Sequence, residues 1–179
     1  IGAGVTGCAI ARELSRYKAD ICVLEKGDDV CSGTSKANSG VIHSGFDAKP
    51  GSLMAKLNVE GNKLMWKWAK DLDFPVKQNG ALVVCTHEED MPNLERLLDQ
   101  GKKNGVEGVK ILSKEEVLAM EPNLTDKTIA ALWAPTGGVI CPFKFTIAMA
   151  ENANVNGVEF KLETEVTNVV KKEGHYVLE

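Results

Sequence analysis

Ile1-Gly2-Ala3-Gly4-Val5-Thr6-Gly7 sets three glycines at the spacing G-x-G-x-x-G, and Glu25 follows Gly7 by 18 residues. These residue types at this spacing can cradle a pyrophosphate and grip a ribose. Gly2 permits a tight turn out of a strand. Gly4, with no side chain, lets a pyrophosphate reach the backbone, and Gly7 lets the next helix pack close to the sheet. The start of that helix, at Val5 and Thr6, offers free N–H groups and the positive end of a dipole. Glu25 and Lys26 close the apolar run Ile21–Leu24, where a ribose-binding acid belongs. A glycine motif alone could be a structural turn. With its helix, strand and acid all in place, it reads as a dinucleotide site.

A second stretch carries polar chemistry: Gly33-Thr34-Ser35-Lys36-Ala37-Asn38-Ser39-Gly40-Val41-Ile42-His43-Ser44-Gly45. Thr34, Ser35 and Asn38 can hydrogen-bond a phosphate or a sugar chain, and Gly40 and Gly45 let backbone approach a flat ligand. By composition alone, a ligand loop and a plain surface loop are equally open. The five cysteines, Cys8, Cys22, Cys31, Cys85 and Cys141, are odd in number and never spaced C-x-x-C. They read as reduced thiols of a cytoplasmic protein with no metal site.

The elements that position these residues follow from periodicity. A helix after Gly4 is expected to turn Ala9, Ile10 and Leu14 inward, with Arg12, Glu13 and Arg16 solvated. Ile21–Leu24 reads as a buried parallel strand, so residues 1–26 form a βαβ start. A long helix over 52–72 follows from Leu53, Leu57, Leu64, Trp68 and Leu72, with Met65 and Trp66 beside them. Strands are expected at 81–86 and 109–112, and helices at 89–104, after the capping box Ser113–Glu116, and from Pro142 to about Asn154. Ile129–Ala134 and Val139–Ile140 flank Pro135-Thr136-Gly137-Gly138 as an expected hairpin. A strand at 158–162 and a hairpin ending near Leu178 complete the pattern. Strands that interrupt the βαβ order point to a second, antiparallel unit. The division read from the sequence is 1–74, 75–141 and 142–179, the last returning to the first unit.

The length suits one domain or one and a half, and 44% hydrophobic with 26% charged residues places the chain among globular proteins rather than disordered ones. Lys+Arg 21 against Asp+Glu 25 gives −4, which argues against a general nucleic-acid binder. No apolar run approaches a transmembrane length. The chain opens on Ile1 with almost no strand before Gly2, where about five residues would be usual. A fragment truncated at its start is therefore expected, and the family resemblance given below implies truncation at its other end too.

GAGVTGCAIARELSRY, VLEKGDDVCSGTSKANSGVIHSGFDAKPGSLMAKLNVEGN and GGVICPFKFTIAMAENA together resemble the FAD-dependent D-amino-acid oxidase superfamily. Within it the resemblance is to the branch of anaerobic-type glycerol-3-phosphate dehydrogenases, with L-2-hydroxyglutarate dehydrogenases as close neighbours. The resemblance implies an α/β fold, a Rossmann-like FAD-binding domain with an inserted antiparallel-sheet substrate domain. It implies FAD at Gly2, Gly4, Val5, Thr6, Gly7, Glu25, Lys26, Thr34, Ser35, Asn38, Ser39, Gly40, Val41 and Val166. Of these, Asn38 to Val41 pass the isoalloxazine, and the Val166 backbone meets the adenine. A lone histidine is more often structural, but the resemblance sets His43 beside the flavin as the one candidate general base. The implied reaction oxidises a small anionic secondary alcohol, glycerol 3-phosphate first and L-2-hydroxyglutarate as the alternative. Electrons would pass to a quinone, an electron-acceptor protein or oxygen. Two further alternatives are a non-catalytic nucleotide-binding module and an NAD-linked enzyme. The latter would continue in βαβ units after Glu25, where this chain enters a polar loop.

Overall fold

Residues 5–14 contain neither proline nor an interior glycine beyond Gly7, and they wind into helix α1 (Val5–Leu14) in the computed structural model, which describes residues 1–179. The chain divides into two compact units. The first comprises Ile1–Gly40, Ala69–Pro75 and Cys141–Glu179, and the second Val41–Trp68 and Val76–Ile140. The sequence division gives residues 41–68 to the first unit. They group with the second because Val41 and Ile42 form strand β2, which pairs antiparallel with β7 (Gly138–Ile140) through Val41↔Val139 and Ile42↔Gly138.

In the first unit, β1 (Cys22–Leu24) pairs in parallel with β8 (Glu159–Lys161), with Val23 opposite Phe160. Helix α1 packs on α5 (Pro142–Val155). The residues α1 buries are Cys8 and Ala11, while Ile10 and Leu14 are 55% and 46% exposed. This corrects the expected inward face. Ala150 and Ala153 are buried on α5, and small side chains on both helices let the axes close up, leaving the larger ones at the margin. Arg12 Nε donates to Asn152 Oδ1 at 3.0 Å across the pair. Phe74 and Phe145 stack obliquely with ring centroids 5.0 Å apart. The antiparallel hairpin of β9 (Val169–Lys172) and β10 (His175–Leu178) turns through Gly174 at φ +78°.

The second unit holds two three-stranded antiparallel sheets. One has the order β2-β7-β3, with β3 at Val76–Lys77. The other has the order β4-β6-β5, with β4 at Ala81–Cys85, β5 at Lys110–Ser113 and β6 at Ala130–Ala134. The expected hairpin of 129–134 with 139–140 is thus not a pair. The turn through Gly137 delivers β6 and β7 to different sheets. Strand β6 is covered on both faces. Ala130 and Leu132 join Leu94 and Leu97 of α3 (Met91–Asn104), while Ala131 joins Val117 of α4 (Lys114–Met120). Its near-continuous apolar sequence follows from that double burial. The capping box forms as expected, with Ser113 Oγ accepting from the Glu116 N–H and Glu116 Oε2 from the Ser113 N–H.

Helix α2 (Leu53–Leu72) is as long as expected, but its buried seam is Ala55, Asn62 and Ala69, seven residues apart. Leu53, Leu57 and Leu64, whose spacing marked the helix, are 68%, 54% and 42% exposed. No helix is long and apolar enough to cross a membrane.

Candidate functional site

The glycine turn is closed from several sides at once. Gly2 adopts φ +92°, a left-handed backbone that favours glycine, and its N–H donates to the Leu24 carbonyl at 2.8 Å. A Cβ on Gly7 would lie 1.9 Å from the Gly2 carbonyl oxygen, so the helix can start this close to the turn only with glycine there. A Cβ on Gly4 would meet only the Ser35 hydroxyl, at 3.1 Å. Gly4 is the N-cap of α1 and brings no side-chain cap. Ser35 substitutes from a distant loop, its Oγ accepting the Val5 N–H at 2.9 Å. Thr6 is exposed on the first turn.

Glu25 locks this turn to the strand that follows it. One carboxylate oxygen accepts the Ala3 N–H at 2.7 Å and the other the Gly27 N–H at 2.8 Å. These two backbone bonds, with Lys26 beside them, hold the carboxyl below the ordinary glutamate range despite partial burial. Each oxygen keeps a further lone pair for a hydroxyl donor. The backbone of Glu25 is tied as well, its N–H to the Lys161 carbonyl and its carbonyl to the Thr164 N–H. Those bonds draw the chain after β8 alongside Glu25. A cavity of about 280 Å³ results, lined by Ile1, Gly2, Leu24, Glu25, Lys26, Thr164, Glu165 and Val166. Gly2, Glu25, Lys26 and Val166, named from sequence at opposite ends of the chain, share this one cavity. Lys26 Nζ stands 3.9 Å from Glu165 Oε1 at its exposed rim.

Beneath the turn lie two thiols. Cys8 Sγ donates to the Ala3 carbonyl, which also accepts the Cys31 N–H at 2.9 Å. The Cys8 thiol is pushed up to about 11, chiefly by burial and then by Cys31 and Glu25. It stays protonated and packs as a small apolar residue.

Thr34 and Ser35 lie on a 3₁₀ turn, Thr34–Lys36. Asn38 is occupied within its own loop: Nδ2 donates to the Ser35 carbonyl at 2.8 Å, and Oδ1 accepts the Gly40 N–H at 2.9 Å. Its side chain shapes the loop, leaving Ser39 exposed and Gly40 buried at φ +65°. Val41 and His43 belong to the second unit. They are exposed, while Ile42 and Ser44 between and after them are buried, the alternation of a strand. Sequence reasoning missed Ala3, Gly27, Thr164 and Glu165. Ala3, Gly27 and Thr164 act through backbone N–H groups and Glu165 through its place at the rim, none of which residue type reports. Gly27, two residues past the acid, was the one visible signal.

The second unit has a cavity of its own, about 380 Å³, lined by Ser44, Val59, Asn62, Lys63, Trp66, Gln78, Gly105, Val106, Glu107 and Thr136. Ser44 Oγ is buried there without a protein partner.

Comparison with known proteins places these features in a family. The profile described as FAD dependent oxidoreductase matches residues 1–179. A glycerol 3-phosphate dehydrogenase of Caloramator mitchellensis is 49% identical over 176 residues, covering 98% of this chain and 37% of that protein. A mitochondrial L-2-hydroxyglutarate dehydrogenase of Arabidopsis thaliana is 35% identical over 153 residues, covering 86% of this chain and 31% of that protein. The solved structure of a dithionite-reduced L-alpha-glycerophosphate oxidase from Mycoplasma pneumoniae, with FAD bound, superposes with a TM-score of 0.92 at 37% identity, covering 99% of this chain and 47% of that one. The chain spans less than half the length of each of these proteins.

Proposed function

Because the chain belongs to the family of FAD dependent oxidoreductases, we propose that its first unit holds the adenosine and pyrophosphate of FAD and that the whole protein oxidises a small anionic secondary alcohol. The observation that carries this reading is the cavity joining Gly2, Glu25 and Val166 beside a helix start whose N-cap residue is a glycine. The fit is chemical as well as spatial. The ionised Glu25 carboxylate offers lone pairs to ribose hydroxyls, and the Val166 backbone offers edge contacts to an adenine. Gly4, Thr6 and Gly7 offer backbone and the positive helix end to a pyrophosphate, with Val5 beside them, its N–H held by Ser35 Oγ. Thr34 and Ser35 flank the same helix start, and Asn38, Ser39, Gly40 and Val41 are assigned to the flavin ring.

When bound, FAD supplies the acceptor for a hydride from the carbinol carbon. The protein's own task is the proton. His43, exposed at the end of β2, takes the hydroxyl proton on a ring nitrogen as the alcohol becomes a ketone. Arg12, Arg16 and Arg96 are assigned no substrate role, since each is engaged by neighbouring side chains.

Glycerol 3-phosphate is the favoured substrate, on the strength of the 49% identical dehydrogenase. L-2-hydroxyglutarate is the second reading, on the strength of the 35% identical one. A cytoplasmic location and reoxidation by a quinone, an acceptor protein or oxygen complete the proposal. Anaerobic bleaching of the full-length protein's flavin absorbance, with each substrate added separately, tests it. Rapid bleaching by glycerol 3-phosphate is expected, and bleaching by L-2-hydroxyglutarate alone would exchange the substrates. A flavin that neither reduces would leave cofactor binding without this chemistry. A protein that retains no flavin would overturn the reading.

A further inference from the structure

We propose that Asn62 is a positioning residue for His43, an amide clamp that fixes the end of strand β2 from the inner side and so holds the imidazole on the outer one. The inference rests on the histidine role assigned above.

Asn62 lies on α2 and is 6% exposed, a polar side chain in a seam otherwise made of alanine. Its Nδ2 donates to the His43 carbonyl at 3.0 Å and to the Thr136 carbonyl at 2.8 Å, and its Oδ1 accepts the Trp66 indole N–H at 3.2 Å. The partners fix the orientation of the amide. Two carbonyls can only accept and an indole N–H can only donate, so a flipped amide would lose all three bonds. Both amide hydrogens are thus spent on two backbone segments far apart in sequence, the end of β2 and the turn before β7. Strand β7 closes the same circuit, since its Gly138 pairs with Ile42, the residue before His43. A Cβ on Gly138 would lie 2.6 Å from the Trp66 ring, so the ring that anchors Asn62 also props the strand beside His43.

The clamp matters because little else holds this point from behind. Strand β2 has two residues and ends at Ile42. Ser44 Oγ makes no protein hydrogen bond, and the cavity of about 380 Å³ bordered by Ser44, Asn62, Trp66 and Thr136 gives the backbone room to sink inward. The next tie lies downstream, where Asn104 Nδ2 donates to the Gly45 and Ala48 carbonyls. A displacement of about 1 Å of a proton acceptor is enough to slow a reaction by about a hundredfold.

A double-mutant cycle between Asn62→Ala and His43→Gln in the full-length, FAD-loaded protein tests this. One readout is the rate of anaerobic flavin reduction by whichever of the two substrates reduces the wild type. The other is hydrogen exchange across residues 41–48, which does not depend on turnover. Asn62→Ala is expected to slow reduction about tenfold or more with little change in half-saturation, and to raise exchange over 41–48. On top of His43→Gln it is expected to slow reduction less than about twofold. Equal slowing in both backgrounds would mean a general loss of structure and would overturn the inference, as would no slowing at all. A His43→Gln protein reduced at the wild-type rate would remove the histidine role, and the inference with it. A wild type that neither substrate reduces would remove the proposed reaction itself. Should Asn62→Ala fail to fold, Trp66→Phe, which removes the indole N–H with one ring but leaves the Asn62 amide in place, goes through the same cycle. The same pattern is expected there at smaller size.

Discussion

Glu25 and the glycines it locks show how much one turn can depend on single atoms. The carboxylate bridges Ala3 and Gly27, so removing its charge loosens both the turn and the ribose grip. Glu25→Ala in the full-length protein is expected to raise the FAD dissociation constant about tenfold, measured by flavin release on dilution. The sign of the pH effect follows from the depressed carboxyl. Its stabilising contribution is complete above the ordinary glutamate range and is lost as pH falls through the lower folded value. The gap in melting temperature between wild type and Glu25→Gln should therefore be widest near neutrality and narrow in acid; a constant gap would contradict the assignment. Gly4 and Gly7 should separate binding from folding. Gly7→Ala drives a Cβ into a backbone carbonyl and is expected to cost about 1–3 kcal/mol in denaturant unfolding. The Cβ that Gly4→Val adds meets only the Ser35 hydroxyl, so the variant should lose less stability than Gly7→Ala yet emerge without flavin, read from the absorbance ratio.

At the scale of elements, helix α4 has seven residues and leans on its capping box. Ser113→Ala is expected to cost about 1 kcal/mol in denaturant unfolding, with Val117 of the core loosened as a consequence. That cap was legible because Ser113 and Glu116 carry their roles in their side chains. The glycine turn, α1, β1 and the acid at its end were legible for the same reason, and so was the gathering of Gly2, Glu25 and Val166 once the family resemblance was drawn. The faces of α1 and α2 were not. Their seams are built from Cys8, Ala11, Ala55, Asn62 and Ala69, residues small enough for close helix packing, and the eye follows the leucines instead. Nor could the sheet membership of β7 be read. Strands β2, β3 and β7 have two or three residues each, too short to show a period, and the turn through Gly137 looks like a hairpin whichever sheet receives it. The amide clamp at Asn62 was invisible because its partners are backbone carbonyls.

Across the whole molecule the two units are interleaved along the chain. The second is made of two segments between Val41 and Ile140, while the first needs both ends, Ile1–Gly40 and Cys141–Glu179. Among the strand pairs, β1–β8 sets the longest wait: Cys22 meets Glu159, 137 positions later. Synthesis runs at about 5–20 residues per second, so β1 leaves the ribosome roughly 7 to 27 s before its partner exists. The sheets of the second unit can close in that interval. In refolding of the complete chain the nearer pairing closes the shorter loop, so amides of β4 and β6 should gain protection before those of β1 in pulse-labelled hydrogen exchange, and the reverse order would contradict this. The glycine turn, which is bonded to the end of β1, is thus among the last parts to be finished. Until β8 emerges, the apolar strand Cys22–Leu24 lacks that partner, which makes it a foothold for a chaperone during translation.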